Sequence, residues 1–213
     1  MSKKYYYDPT EGTRVHPDPK APRLPGRVVF RKCLKWSSLN RSFVLYTGRG
    51  PNGKTLAAVR QLVEEPDTRT IVSNCHLGIP YKKLRLGEVL DYKDCRILLD
   101  SGWTLFNTRQ FTSKEDTLWR HFLSLGRKFN NQVILTGSEP RFFPRHLLNL
   151  VHTVFEPIHW FNQYGTPKLT LVKVVRKGRR VTREVYPTVN ARKYYKLFNT
   201  MEIQPIEGWN HRR

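Results

Sequence analysis

Residues 46–55 read YTGRGPNGKT, and no other stretch of the chain restricts its fold as tightly. Gly48, four residues, then Gly53, Lys54 and Thr55 is the spacing of a phosphate cradle. Glycines let backbone N–H groups converge on phosphate oxygens, a lysine reaches the terminal phosphates, and a hydroxyl holds Mg²⁺. Such a loop works between a strand that delivers it and a helix whose positive N-terminal end faces the anion. Both elements are predicted. SFVLY (42–46) is apolar and rich in β-formers, and KTLAAVRQLVEE places Leu56, Val59, Leu62 and Val63 on one helical face before Pro66 and Asp67 stop it. The expected nucleotide-binding residues are therefore Gly48, Arg49, Gly50, Pro51, Asn52, Gly53, Lys54, Thr55 and Leu56.

The rest of the chain reads as alternating β and α units. TIVSNC (70–75), CRILLD (95–100) and QVILTG (132–137) are short apolar runs with hardly any polar alternation, as expected of parallel strands covered on both faces. SKEDTLWRHFLSLGRKF opens with a capping-box pattern, Ser113 to Asp116, and repeats apolar residues at 118, 119, 122, 123 and 125, which predicts a helix. PRFFPRHLLNLV (140–151) predicts another helix and HTVFEPIHW another strand. The fold class is α/β, a mainly parallel sheet with helices on both faces. Two β-rich runs, KLTLVKVV and VTREVY, flank the basic turn RKGRR and predict a C-terminal hairpin over about 167–187.

With 213 residues, 38% of them hydrophobic, the chain is long enough for one domain of ordinary size, expected over 28–205. Residues 1–27, mixing Pro, Gly and charge without a period, read as a disordered tail, and 206–213 as a C-terminal one. No run of about 18 apolar residues occurs, so no membrane span is expected, and the start lacks an apolar signal stretch. Cys33, Cys75 and Cys95 have neither disulfide nor zinc spacing and are expected to be buried small hydrophobes. His121, His146, His152 and His159 show no metal-ligand spacing, which leaves nucleotide-borne Mg²⁺ as the only ion implied.

A phosphate loop of this kind needs a second strand ending in an acid that holds Mg²⁺ through water, and CRILLDSG supplies Asp100. Thr55 and Asp100 are thus the expected Mg²⁺ pair. Hydrolytic chains usually carry a Glu directly after that Asp to activate water, but here Ser101 follows, without basicity at neutral pH. Glu139, just past the VILTG strand, is the candidate substitute.

A formal charge of +21 predicts attraction to a polyanion, nucleic acid first. The hairpin concentrates it: Lys168, Lys173, Arg176, Lys177, Arg179, Arg180 and Arg183 occur without one acid. Contact with DNA phosphates would give salt-dependent binding without sequence preference, whereas a solvated edge hairpin would use the same charges against aggregation. Trp36, Trp103 and Trp160 could stack on bases, while Trp119 sits at core spacing.

TIVSNCHLGIP, ILLDSGWTLFNTRQF, RKFNNQVILTGSEPRFFPRHL and YYKLFNTMEIQPI, in that order, resemble the viral genome-packaging branch of the FtsK/HerA ATPases over roughly residues 42–205. The related zonula occludens toxin-like phage assembly proteins are similar in the same places, where Asn74, Asp100 and Arg127 stand. Two positions depart from the pattern: Ser101 replaces the catalytic Glu, and the sensor Gln has become Ser138 or Glu139. The resemblance implies a P-loop NTPase fold of the RecA-like/ASCE type, ATP and Mg²⁺ as cofactors, and a homo-oligomeric ring, a pentamer or hexamer, around double-stranded DNA. It also implies that a neighbouring subunit's arginine stabilises the transferring phosphoryl group, with Arg127 and Arg145 as candidates and Arg109 behind them. A capsid or portal vertex would be the docking partner, and the host-cell cytoplasm or the virion the location.

The function expected is ATP-driven translocation of double-stranded DNA, Lys54, Asp100, Glu139, Arg127 and Arg145 forming the catalytic set. Two alternatives stay open: a nucleotide or nucleoside kinase, which shares the loop but has no need of such charge, and a non-hydrolysing DNA-binding assembly protein with a structural nucleotide site, for which Ser101 speaks.

Overall fold

A computed structural model describes residues 24–39, 43–102, 114–126, 128–178 and 180–203. In chain order its strands are β1 (Arg27–Phe30), β2 (Phe43–Thr47), β3 (Thr70–Ser73), β4 (Cys75–Leu77), β5 (Lys82–Lys83), β6 (Cys95–Leu99) and β7 (Gln132–Gly137), then β8 (Thr153–Phe155), β9 (Ile158–Phe161), β10 (Pro167–Thr170), β11 (Val172–Lys177), β12 (Arg180–Val185), β13 (Val189–Asn190) and β14 (Phe198–Ile203). The helices are α1 (Lys54–Glu64), α2 (Lys114–Leu125) and α3 (Arg145–Leu150).

The main sheet has nine strands in the order β1-β12-β11-β8-β2-β7-β6-β3-β5. From β8 to β5 every pairing is parallel, so the C-terminal ends of β2, β7, β6 and β3 lie along one edge. β2 alternates between two cores: Phe43 and Leu45 pack with Phe122 of α2 and Leu147 of α3, while Val44 and Tyr46 pack with Leu56, Val59 and Leu62 of α1. Burial of both faces explains why these strands read as unbroken apolar runs. β7 lies between the strand that delivers the glycine loop and the strand that ends in Asp100.

α1 begins and ends where expected, but Val63 is 44% exposed, and the buried face extends instead through Ala57, Ala58, Arg60 and Gln61. The polar members are held by a buried network. Arg96, 1% exposed and second in β6, donates to the carbonyls of Gln61 and Leu62 at 3.0 and 2.9 Å. It also pairs with Glu65 at 2.9 Å and donates to Gln132 of β7 at 3.0 Å. The guanidinium therefore supplies a donor to the Leu62 carbonyl at the end of α1, shares the Gln61 carbonyl with the N–H of Glu65, and ties that end to β6 and β7.

Three predicted segments divide differently. HTVFEPIHW is two strands in two sheets, because β8 joins the main sheet and β9 pairs with β10 in a separate three-stranded sheet, β13-β10-β9. KLTLVKVV splits at Leu171 into β10 and β11, so the hairpin proper is β11–β12, and Lys168 belongs to the smaller sheet. In PRFFPRHLLNLV only Arg145–Leu150 is α-helical, after a 3₁₀ turn at Pro140–Phe142, since Pro144 sits where it can only begin a helix. Cys75 and Cys95 are buried as expected, but Cys33 is exposed. The Ser113 cap, Trp103, Arg109, Arg127 and Arg179 lie outside the described residues.

Candidate nucleotide and cation site

The glycine loop leaves β2 at Thr47 and enters α1 at Lys54. Gly48, Gly50 and Gly53 have φ of 145°, 64° and 82°, in the region that L side chains rarely adopt. Gly53 has a second reason to be glycine: a Cβ there would lie 3.0 Å from His159 Cβ and 3.2 Å from Leu169 Cδ1. The loop is pinned at both ends, since Gly48 N donates to the carbonyl of Ser138 at 2.9 Å and His159 N donates to the carbonyl of Asn52 at 3.1 Å. α1 has no side-chain cap and no acid in its first turn, which leaves its leading N–H groups to an anion.

Lys54 Nζ donates to the carbonyls of Gly48 (3.2 Å) and Gly50 (2.7 Å) and to Asn52 Oδ1 (3.1 Å). Partial burial pushes this ammonium below the usual lysine value, and the charge of Asp100 opposes the shift.

Asp100 is 5% exposed and faces the loop. Its Oδ1 accepts from Thr55 Oγ1 at 2.6 Å and from Thr136 Oγ1 at 2.7 Å. Asn74 fixes its backbone from the end of β3, accepting from Asp100 N at 2.7 Å and donating to Asp100 O at 2.9 Å. Ser101, with φ of 52°, donates its N–H to Thr136 Oγ1 at 2.8 Å. Three strand ends, those of β3, β6 and β7, thus build one polar platform against the first turn of α1. The hydroxyl of Thr55 and the carboxylate of Asp100 are hard oxygen donors, the ligand type that suits Mg²⁺.

Glu139 lies beside the loop, its two oxygens engaged by Arg49 at 3.0 Å and by Arg141 at 2.7 Å. Arg145 is exposed at the start of α3. Neither Thr136 nor the task of Asn74 stands out in the sequence. The signal available was polar residues at the ends of two apolar strands, Ser73 and Asn74 after Val72 and Thr136 after Leu135.

The basic residues do not form one patch. Along β11–β12, Lys173 and Arg180 share a face with Glu184, and Arg176 and Arg183 lie on the opposite one, because strand side chains alternate. Arg183 pairs with Glu156 at 3.3 Å and donates to the carbonyl of Pro25 at 2.8 Å, while Glu184 pairs with Arg31. β1 covers β12, so β12 is not the sheet edge. β11 runs antiparallel to β8, which directs the turn at Gly178 toward the end of the sheet opposite the glycine loop. Seven residues of strand register separate the two levels, roughly 20 Å at the usual rise per residue.

Among the described residues, no His, Cys, Asp and Glu cluster could hold a metal ion, and no helix is long and apolar enough to cross a membrane.

A mainly parallel sheet with flanking helices and a glycine loop between β2 and α1 defines the P-loop NTPase fold. Among solved structures, the chain is similar to the N-terminal domain of zonular occludens toxin from Neisseria meningitidis, at 16% identity and a TM-score of 0.50, over 74% of this chain and 99% of that one. It is more distantly similar to the genome packaging NTPase B204 from Sulfolobus turreted icosahedral virus 2 in complex with ATP-gammaS (9% identity, TM-score 0.41, 61% of this chain and 97% of that one). A KaiC-like protein, PH0186 from Pyrococcus horikoshii OT3, gives 15% identity and a TM-score of 0.42 over 76% of this chain and 94% of that one. No protein-family model and no curated protein matches the sequence. At these identities the likeness is one of fold.

Proposed function

We propose that the chain is an ATP-hydrolysing motor of the FtsK/HerA type, in its viral genome-packaging branch, that moves double-stranded DNA. The observation that carries this reading is the 2.6 Å approach of Thr55 Oγ1 to Asp100 Oδ1 at the mouth of the glycine loop. Residues 45 positions apart in sequence meet beside the loop, and together they would hold a nucleotide-borne Mg²⁺ ion. Thr55 would ligate that ion and Asp100 would hold it through water. When bound, Mg²⁺ would neutralise charge developing on the phosphates. The loop amides and Lys54 would grip the phosphate oxygens, and Asn74 and Thr136 would hold Asp100 in place. Glu139 would orient the attacking water once Arg49 turns from it to a phosphate.

The net charge of +21 supports a polyanionic cargo, and a motor must accept any sequence, which phosphate contact without base reading allows. In this reading the subunits form a ring of five or six around the duplex, docked on a capsid or portal vertex in the host cytoplasm. Arg127 or Arg145 reaches a neighbour's nucleotide. The test is ATP turnover with and without duplex DNA while the oligomer is weighed. DNA-stimulated turnover by a ring, lost in Lys54→Ala, is expected, and full DNA-stimulated activity in that variant would refute the motor.

A second reading rests on Ser101: the position after Asp100 carries no acid, and its backbone is turned into the left-handed region and bonded to Thr136. A non-hydrolysing assembly protein with a structural nucleotide would bind ATP tightly and show no turnover even as an oligomer on DNA.

A further inference from the structure

Phe161 and Tyr195 are 51% and 40% exposed, yet the residue that joins them is built into the wall of the glycine loop. His159 donates its backbone N–H to Asn52, and its Cβ limits the space beside Gly53. Its ring meets Phe161 at a centroid distance of 5.3 Å and Tyr195 at 5.9 Å, with Nε2 and the Tyr195 hydroxyl 2.6 Å apart. His159 and Phe161 are two residues apart on β9 and share a face, the one that also brings Leu169 of β10 against Gly53. Three aromatic rings therefore start at the loop and lead outward into solvent. The glycine loop and the platform around Asp100 make no use of them.

We propose that His159, Phe161 and Tyr195 form a stacking shelf for the nucleobase, and that it selects purine over pyrimidine nucleotides without separating adenine from guanine. This rests on the reading of residues 48–55 as a phosphate cradle. A nucleotide anchored there by its phosphates must lay its base against whatever flanks the loop, and the flank at Gly53 is aromatic. Stacking tolerates every base because each has a π-face, and a larger ring covers more of the shelf. Base identity would have to be read by polar atoms turned to the base edge, and His159 Nε2 and the Tyr195 hydroxyl are instead engaged with each other. Burial lowers the His159 pKa, which favours the neutral imidazole beside the base.

The test is equilibrium binding of ATP, GTP, CTP and inorganic tripolyphosphate to the full chain and to Phe161→Ala, Tyr195→Ala, Phe161→Tyr and Lys54→Ala. The shelf predicts that ATP and GTP bind alike and more tightly than CTP. Each alanine variant should weaken ATP about 5- to 150-fold, the range that loss of a base–aromatic stack produces, while tripolyphosphate affinity stays constant. Phe161→Tyr should bind ATP as the unaltered chain does, and Lys54→Ala should lose both ligands. Unchanged ATP affinity in both alanine variants would overturn the shelf and leave the cradle standing, as would an equal loss of ATP and tripolyphosphate. Altered oligomer mass with ATP affinity intact would assign the aromatics to a subunit contact instead. Failure of the unaltered chain to bind either ligand would remove the cradle and the shelf with it.

Discussion

Thr136 is where a single side chain matters most for its size. Its hydroxyl donates to Asp100 and accepts from the N–H of Ser101, so it sets the acid and the turn after it together. Thr136→Val keeps the shape and removes both bonds, taking from the partly buried N–H of Ser101 the acceptor that Thr136 supplies. The expected loss is about 1–3 kcal/mol in denaturant unfolding, together with weaker Mg²⁺-dependent ATP binding. Wild-type values for both would show that Asp100 is held without it. Glu64 gives a pH prediction. Burial alone would raise its carboxyl, but hydrogen bonds from Tyr194, Arg60 and Lys193 carry it from 4.5 down to about 2. A depressed folded-state value means stability that is full above the unfolded pKa and is lost as pH falls, here between about 4.5 and 2. Tm measured through that window should fall, and Tyr194→Phe should flatten the fall. At this scale the sequence showed the glycines, Lys54, Thr55 and Asp100, because phosphate binding demands those residue types at fixed spacing. It did not show Thr136, because a threonine ending a strand is too common to mark.

α1 is a rod with a job at each end. Its N-terminus faces the loop, and its C-terminus is held by Arg96, which bonds the carbonyls of Gln61 and Leu62 and the carboxylate of Glu65. Burial lowers the Arg96 pKa, and the charges of Glu65 and Asp67 act against that shift. Arg96→Leu strands Glu65 in the core, and the expected cost is about 3–5 kcal/mol by chemical denaturation. Arg96→Leu with Glu65→Leu should recover a large part of it, since the charge left behind is then gone as well. A single variant as stable as the wild type would show that the network is incidental to α1. CRILLD was legible as a buried strand through its aliphatics, and the arginine within it did not disturb that reading. What the sequence could not show is where Arg96 finds its partners, because Glu65 and Gln132 come from elements 31 and 36 residues away. The divisions inside HTVFEPIHW and KLTLVKVV were hidden for a related reason: a run of β-formers does not record which sheet each half joins.

Across the whole molecule, topology separates two chemistries. The parallel strands end at the glycine loop, and the antiparallel β11–β12 hairpin turns at the other end of the sheet. The proposed nucleotide and DNA contacts should therefore be separable by mutation. Arg176→Glu with Arg180→Glu should weaken duplex DNA binding and flatten its dependence on salt, while ATP affinity without DNA stays as it was. Unaltered DNA binding would reduce the hairpin to a solvated surface. The α/β class was legible because apolar runs alternate with amphipathic ones, whereas the small β13-β10-β9 sheet was not, since its strands are short and pair with each other rather than with the main sheet. If the glycine loop and Asp100 act as one site, titration of ATP with and without Mg²⁺ into the unaltered chain, Lys54→Ala and Asp100→Asn will separate their tasks. Mg²⁺-strengthened binding is expected in the unaltered chain, with loss of binding in Lys54→Ala and loss of the Mg²⁺ effect alone in Asp100→Asn. Equal ATP affinity for all three proteins in the presence of Mg²⁺ would contradict a single site.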